Sequence, residues 1–423
     1  MSNILIKNAS QLVTCSGFQA KQGKAMSDLH TIEDGAVVIE NARITAVGKS
    51  EAVLAKIDEA KFESIDANGK AVLPGFVDSH THFIFGGYRA EEFSWRLRGD
   101  SYMAIMNRGG GIINTVKATR NTSKKELIES GKRRLDSMLS FGVTTVEGKS
   151  GYGLDETTEI KQLEVMKALN HIHPIEIVST FLGAHAVPKK YKDREDEYID
   201  YMIHMVIPKV TDRKLAEFCD IFCEKSVFSV EQSKRLLLHA LNVGLKIKIH
   251  ADEMVQLGGA ELAAELGAVS ADHLLHASES GIKVLADAGV VATLLPGTAF
   301  SLKEPYARGR YMIDQNCAVA LATDFNPGSC FSESIPLIFA LATIYMNLSI
   351  EEAITALTIN GAAAIDRADT IGSIDVGKLG DVIILEYPSY QYIPYHIGVS
   401  TVEKVIKNGE LVFDKESSER TNI

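Results

Sequence analysis

The sequence predicts an α/β protein in which a (β/α)8 TIM barrel is joined to a small β-sandwich domain formed by both chain termini. Two observations carry this prediction. From about residue 73 to residue 375, eight runs of buried-strand residues alternate with stretches of helical periodicity, whereas residues 1–72 and 376–423 consist of short strands and turns. We therefore expect a barrel domain over 73–375 and a discontinuous β domain from the two terminal segments. A doubly wound open sheet is the alternative for the central region.

The terminal segments are predicted to pair with each other. Residues 3–7, 35–40 and 43–48 read as strands, followed by a short helix near residues 51–58. Residues 61–72 are expected to form a hairpin at Asn68-Gly69, a dipeptide favoured in tight hairpin turns. Near the other end, residues 381–386 and 402–413 read as strands, and the second run turns at Asn408-Gly409.

The barrel strands are predicted from short apolar runs, each followed by a loop and usually by a helix. Because the strands alternate with helices, they are expected to be parallel, and eight of them fit a closed barrel. The runs lie at residues 75–80, 142–147, 175–182, 219–224, 245–250, 270–274, 290–295 and 318–324.

The overall composition excludes several classes of partner. The net charge is −11, from 44 Lys and Arg against 55 Asp and Glu, so binding to nucleic acid or to an anionic membrane surface is disfavoured. The N-terminus shows no basic and apolar pattern of a signal peptide, and the longest apolar run is broken by Pro336. The five cysteines are scattered and odd in number, so a disulfide framework is not expected. We therefore expect a cytoplasmic location.

Histidines and one carboxylate stand at the ends of four predicted barrel strands. His80 and His82 follow the first strand and, being two residues apart, point the same way. His250, His273 and Asp324 follow the fifth, sixth and eighth strands. Because active sites of such barrels lie at the carboxyl ends of the strands, these side chains are expected to meet there. Imidazole nitrogens with a carboxylate oxygen suit Zn²⁺ or Fe.

This series of motifs resembles the amidohydrolase superfamily over nearly the whole chain. The resemblance implies that His80, His82, His250 and Asp324 hold one divalent or trivalent metal ion, Zn²⁺ or Fe. It also implies that His273 contacts the bound water or the substrate. The fourth strand ends at Glu224, which would bridge a second metal in the alternative, binuclear arrangement.

Finer motifs on the predicted strand-end loops are similar to those of the imidazolonepropionase family. They read FIFGGYR at 83–89, RGGGI at 108–112, KSGYGL at 149–154, FLGAHA at 181–186 and DFNPGS at 324–329. The resemblance implies hydrolysis of the ring amide of 4-imidazolone-5-propanoate to N-formimino-L-glutamate, the third step of histidine degradation. A homodimer is expected, since barrels of this class are often dimers.

Three residues are candidates for the proton transfers of amide hydrolysis. Asp324 can accept the proton of the attacking water, His273 can orient that water or polarise the carbonyl, and Glu253 can hold a ring N–H and pass a proton to the leaving nitrogen. The sequence leaves open which of the three is the general base.

The anionic end of the substrate needs local cations, because the chain as a whole is acidic. Arg89, in the first strand-end loop, has a planar guanidinium group that can bind a carboxylate through two parallel hydrogen bonds. The other expected contacts are the hydroxyls of Tyr102 and Tyr152, the ring of His185, and the loop that holds Asn326, Gly328 and Ser329. A bend in that loop is expected to expose N–H groups near the metal.

Two other functions remain open from the sequence. A deaminase of a purine or pyrimidine base would use the same metal-binding motifs but would not need Arg89. A barrel without catalysis, acting as a binding subunit, would not need intact metal ligands.

Overall fold

The computed structural model of the protein describes residues 3–100, 104–105 and 108–420, and in these residues the strands form two sheets. The first sheet contains β1 (Ile4–Val13), β2 (Thr31–Glu40), β3 (Arg43–Lys49), β4 (Glu63–Asp66) and β5 (Val72–Pro74), together with three strands from the C-terminal end. The second sheet contains β6 (Phe76–Asp78), β7 (Val143–Lys149), β8 (Glu176–Ala184), β9 (Phe218–Cys223), β10 (Lys246–Ala251), β11 (Ser270–His273), β12 (Val291–Leu294) and β13 (Val319–Leu321). The C-terminal strands of the first sheet are β14 (Val382–Leu385), β15 (Val402–Lys407) and β16 (Glu410–Asp414).

The second sheet is the predicted barrel. Its eight strands are parallel and lie in chain order from β6 to β13. The extensions of the first and last strands meet through a bridge between Thr81 and Phe325, where the amide of His82 donates to the carbonyl of Phe325 at 2.9 Å. This contact closes the cylinder and brings His82 beside the end of β13, so the barrel predicted from the sequence is confirmed.

The helices lie mainly in the connections between barrel strands. Three of the described helices begin with a capping box, as at Ser123 with Glu126, which satisfies free amides at the helix start. The α-helices are Ser50–Leu54, Ala90–Leu97, Ile112–Asn121, Lys124–Ser140, Glu156–Ile172, Glu195–Tyr201, Ile207–Asp212, Val230–Asn242, Gly259–Leu266, Glu279–Ala288, Pro296–Leu302, Gly309–Asp314, Ile335–Tyr345, Ile350–Leu357, Ile359–Ala364, Tyr392–Tyr395 and Lys415–Arg420. Among these described helices, none has the length and apolar character required to cross a membrane.

The terminal sheet is formed by both ends of the chain. β14 pairs antiparallel with β5, and β15 pairs antiparallel with β16 across the predicted turn at Asn408-Gly409. One face of this sheet has its own apolar core, which includes Ile6, Ile39 and Ile384. The division into residues 1–72 with 376–423 and residues 73–375 stays a prediction.

The hairpin predicted over residues 61–72 is wrong. β4 and β5 do not pair with each other, because both pair in parallel with β1, one along each half of it. β1 is irregular between Ile6 and Ala9, and the amide of Gly69 donates to the carbonyl of Asn8 at 2.9 Å. The Asn68-Gly69 turn therefore carries the chain past this irregularity instead of reversing its direction.

Candidate active site

Histidine rings from three barrel strands meet at the carboxyl end of the barrel. The ring centroid of His80 lies 5.3 Å from that of His82, 4.6 Å from that of His250 and 5.4 Å from that of His273. Asp324 joins them, since its Oδ1 atom is 3.6 Å from Nε2 of both His80 and His82. All five side chains are buried. The structure thus brings together the side chains that the sequence predicted to meet.

These side chains fit a metal ion. In the part of the chain that the structure describes, Nε2 of His80 and Nε2 of His250 are buried and have no hydrogen-bond partner. Burial lowers the pKa of His80, His82 and His250 well below the usual value, and neighbouring cations and histidines lower it further. Neutral imidazoles with a free lone pair are the form that binds a metal. His80, His82 and Asp324 make one of the groups whose ligand atoms all lie within 4.8 Å of one another.

Two carboxylates that the sequence analysis did not single out lie close to the outer nitrogens of these rings. Nδ1 of His80 lies 2.6 Å from Oδ2 of Asp272, and Nδ1 of His250 lies 2.9 Å from Oδ2 of Asp220. A carboxylate on Nδ1 fixes the proton there and leaves Nε2 with its lone pair. Asp272 therefore orients His80, whereas Asp220 lies at ion-pair distance from His250, whose Nδ1 has no hydrogen-bond partner among the described residues.

Two fully buried lysines pair with these carboxylates and with a third, Glu147. Nζ of Lys149 lies 2.9 Å from Glu147 and 2.8 Å from Asp220, and Nζ of Lys248 lies 2.8 Å from Glu147. Although burial opposes the shift, Lys248 and Lys149 lower the pKa of Asp272. A signal for these ion pairs was present in the sequence, because Lys248 is two residues before His250 on one strand and faces the same way.

His273 and Glu253 stand on one side of the site. Nε2 of His273 lies 3.6 Å from Oε2 of Glu253, whose side chain is 16% exposed. Burial, then repulsion from Asp324, raises the pKa of Glu253 to about 8, and burial lowers the pKa of His273 to about 4. Burial also raises the pKa of Asp324 to about 7, and Thr298 donates a hydrogen bond to this carboxylate at 2.5 Å. Both carboxyl groups are therefore protonated more readily near neutral pH than an exposed carboxylate.

The loop that carries Glu253 is held by the neighbouring carboxylate. Asp252 is fully buried and accepts hydrogen bonds from the backbone amides of residues 257–260, at 2.7 to 3.2 Å. Glu224, the alternative bridging ligand, also holds backbone, since its two oxygens accept hydrogen bonds from the amides of Lys225 and Met254. It is absent from the groups of described residues that could hold a metal.

Arg89 lines the cavity above the histidines. Its Nε donates to Glu92 at 2.8 Å, and its guanidinium packs so closely on Gly328 that a Cβ there would lie 2.1 Å from Nη1. Glu92 was not predicted from the sequence, and it also accepts hydrogen bonds from Gly111 and Asn114 at 2.9 Å. Glu92 thus ties Arg89 to the glycine-rich loop.

Tyr152 and His185 lie beside His82. The rings of His82 and His185 are stacked at 4.8 Å, and Tyr152 is 5.4 Å from His185. Buried Glu159 accepts hydrogen bonds from the amides of Gly151, Gly153 and Leu154 and so shapes the loop around Tyr152. Burial raises the pKa of the Tyr152 hydroxyl, which remains a donor at neutral pH. Tyr102, another of the predicted contacts, lies outside the described residues.

The loop after Asp324 lines the cavity but does not offer the predicted free amides. The N–H groups of Gly328 and Ser329 both donate to Oδ1 of Asn326 at 2.8 Å. The side chain of Asn326 closes this turn on itself and also donates to the carbonyl of Asp324 at 2.6 Å. The expectation of exposed N–H groups was wrong, because the sequence does not show where a loop side chain folds back.

One cavity of about 710 Å³ is bordered by His82, His250, His273 and Asp324, together with Arg89, Tyr152, His185, Glu253, Asn326, Gly328 and Ser329. Arg89, Glu92 and Gly328 line it together, and Met254 borders it as well, whereas His80 is fully buried and is not among the described residues of the lining. A buried polar base with a cationic wall suits a small anion that carries a reactive group at some distance from its charge.

Comparisons with known proteins agree with this architecture. The sequence model described as Amidohydrolase family matches residues 71–412. A solved structure of an adenosine deaminase from Xanthomonas campestris with bound zinc covers 99% of this chain and 96% of its own, with a TM-score of 0.72 and 18% identity. At that identity the likeness concerns the fold alone. The chain belongs to the amidohydrolase family.

Within that class the sequence relatives are more specific. An imidazolonepropionase of Clostridium tetani is 65% identical over 413 residues, which cover 98% of this chain and 99% of the relative. An imidazolonepropionase of Parabacteroides distasonis is 63% identical over 410 residues, which cover 97% and 99%. Among the amidohydrolases, the chain is thus a member of the imidazolonepropionase family, as its strand-end loops predicted.

Proposed function

We propose that the protein hydrolyses the ring amide of 4-imidazolone-5-propanoate to N-formimino-L-glutamate, the third step of histidine degradation. The observation that carries the proposal is the arrangement in one cavity of a buried histidine and aspartate cluster with an arginine wall. The first can activate water for attack on an amide, and the second can bind the propanoate carboxylate. The identity of 65% to an imidazolonepropionase supports the same substrate.

The metal ligands in this proposal are His80, His82, His250 and Asp324. Their three imidazoles and one carboxylate suit Zn²⁺ or Fe better than the all-oxygen ligation of Ca²⁺ or Mg²⁺. A metal ion held by these residues would supply Lewis acidity and would lower the pKa of a water molecule toward neutral pH.

The remaining steps belong to side chains of the protein. Asp324 accepts the proton of the attacking water, and His273 orients that water or the ring carbonyl. Glu253, with its pKa raised to about 8, takes up a proton and gives it to the leaving ring nitrogen. Arg89 with Tyr152 and His185 holds the propanoate end, with Asn326, Gly328 and Ser329 on the neighbouring wall and Tyr102 as a further contact. Glu253 lies 3.6 Å from His273, so the proton donor stands beside the side chain that orients the water or the carbonyl.

The direct test is incubation of the purified protein with 4-imidazolone-5-propanoate, followed by the loss of ring absorbance. We expect turnover in the untreated protein, loss of turnover after treatment with a chelator, and recovery when Zn²⁺ or Fe²⁺ is added. Equal turnover in protein that is verified to be metal-free would contradict the metal-dependent reaction. Binding of the substrate without any turnover would favour the non-catalytic alternative.

Replacing Arg89 by alanine tests the substrate assignment. Each charge-assisted hydrogen bond to a carboxylate contributes roughly 1.5–3 kcal/mol, so we expect KM for 4-imidazolone-5-propanoate to rise at least tenfold. A ring substrate that lacks the propanoate should be turned over with an unchanged KM. The same rise in KM for both substrates would show that Arg89 acts on the fold of the loop and not on the carboxylate. The alternative substrates, purine or pyrimidine bases, offer no carboxylate to this arginine.

The cellular compartment of the protein is a separate part of the proposal. The five cysteines are all buried and free, which suits the reducing cytoplasm. The homodimer predicted from the sequence stays a prediction.

A further inference from the structure

A second arginine faces the same cavity as Arg89. Arg89 directly precedes the helix Ala90–Leu97, and Arg96 lies seven residues later, which is about two helical turns. Residues that are three, four and seven positions apart share one helix face, so Glu92 and Phe93 stand between the two arginines. All four of these residues line the cavity.

The two guanidinium groups converge on one point of the opposite loop. Nη1 of Arg89 packs against the Cα of Gly328, and Nη1 of Arg96 lies 3.5 Å from the carbonyl oxygen of the same glycine. The ring of Phe93 supports Arg96 at 5.2 Å, and Nη2 of Arg96 donates to the hydroxyl of Ser301 at 3.1 Å. Arg96 is therefore held in place beside Arg89, although like charges repel.

The hydrogen-bond potential of Arg96 is incompletely used. Its Nε is buried and has no hydrogen-bond partner, and among the described residues no carboxylate lies within ion-pair distance of its guanidinium. Glu92 is committed to Arg89 through a hydrogen bond of 2.8 Å. Two arginines with one carboxylate leave one positive charge on this wall, which matches one substrate carboxylate. Burial, and then the proximity of Arg89, lowers the pKa of Arg96, so an anion between them would relieve the repulsion.

We infer that Arg96 is a second anion-binding residue, which holds the carboxylate of the substrate's short side chain together with Arg89. The inference rests on the proposed function for the identity of the substrate. It implies that the enzyme selects for a carboxylate by two cations, so that neither arginine alone accounts for the preference.

The test compares Arg96→Gln with Arg98→Gln in the metal-loaded protein. Arg98 is an exposed arginine just beyond the same helix and serves as the matched control. Calorimetric titration with glutarate, a small dicarboxylate, measures the anion site without turnover. We expect the Arg96 variant to bind glutarate about tenfold or more weakly than the wild-type protein, and the Arg98 variant to bind it equally well.

Kinetics with 4-imidazolone-5-propanoate separate binding from folding. In the Arg96 variant, KM should rise at least tenfold, while kcat for a ring substrate without the propanoate stays unchanged. An Arg96→Lys variant keeps the charge but loses the planar guanidinium, so its KM should lie between those of the wild-type protein and the Arg96→Gln variant. If circular dichroism shows that the glutamine variant does not fold, the lysine variant replaces it in the test.

The two proposals fail in different ways. If the Arg96 and Arg98 variants bind glutarate equally well, the role of Arg96 is rejected, whether or not the wild-type protein turns over the substrate. If the wild-type protein does not hydrolyse 4-imidazolone-5-propanoate but its glutarate binding depends on Arg96, the proposed reaction fails and the anion site stands.

Discussion

Replacing Glu253 by glutamine is expected to lower kcat by roughly 10²–10⁴-fold while the metal content stays unchanged. Glutamine has the same shape but neither takes up nor gives a proton at neutral pH. In the described part of the chain, Glu253 is outside the groups of side chains that could hold a metal. Burial, then repulsion from Asp324, raises the pKa of Glu253 to about 8, so both protonation states are accessible during a reaction cycle. Steady-state kinetics and elemental analysis of the same preparation measure the two quantities.

The matched control for this variant is Glu304→Gln. Glu304 lines the same cavity, but its side chain is exposed and it adds only weakly to the shift in the pKa of Glu253. Its replacement should leave kcat close to that of the wild-type protein. If the Glu253 variant retained full kcat, Glu253 would have no part in the proton transfers. If it lost the metal, the residue would be a ligand.

The convergence of the histidines was predictable because parallel strands end on the same side of a barrel. His80, His82, His250 and Asp324 each follow a short apolar run, and it is enough to know that the strands are parallel to place them together. The same argument places Glu253 at the same end of the barrel, in the loop that follows the strand of His250. The positions of these residues along the chain therefore contain most of the information about the base of the site.

The buried carboxylates and lysines near the histidines were not predicted, since their contacts join residues far apart in the sequence. His80 and Asp272 are separated by 192 positions, and Lys149 and Asp220 by 71. A single charged residue inside an apolar run is costly to bury alone, so each of these residues signals a partner, but the sequence does not show which one. The contacts of Gly328 and of the Asn68-Gly69 turn were missed for the same reason.

Replacing Asp272 by asparagine is expected to weaken metal binding by about 10–100-fold. The Asp272 carboxylate lies 2.6 Å from Nδ1 of His80, and both side chains are fully buried. An amide at this place is a weaker acceptor and carries no charge, so the His80 ring is less basic and its Nε2 is less firmly aimed at the metal. Ser270, which donates to the carboxylate at 2.6 Å, would keep the new side chain in position. Competition with a coloured chelator measures the change in affinity directly, without any use of turnover.

Any loss of a buried charge destabilises a protein, so the decisive comparison is with a buried carboxylate remote from the barrel mouth. Asp381 is buried in the terminal sheet and pairs with Lys407 at 2.6 Å, so its replacement by asparagine removes a charge of similar burial. We expect both variants to have a lower melting temperature, but only the Asp272 variant to release its metal to the chelator more readily. Equal metal affinity in the two variants would mean that the carboxylate on His80 does not orient the ring. The histidine would then be aimed by its backbone alone.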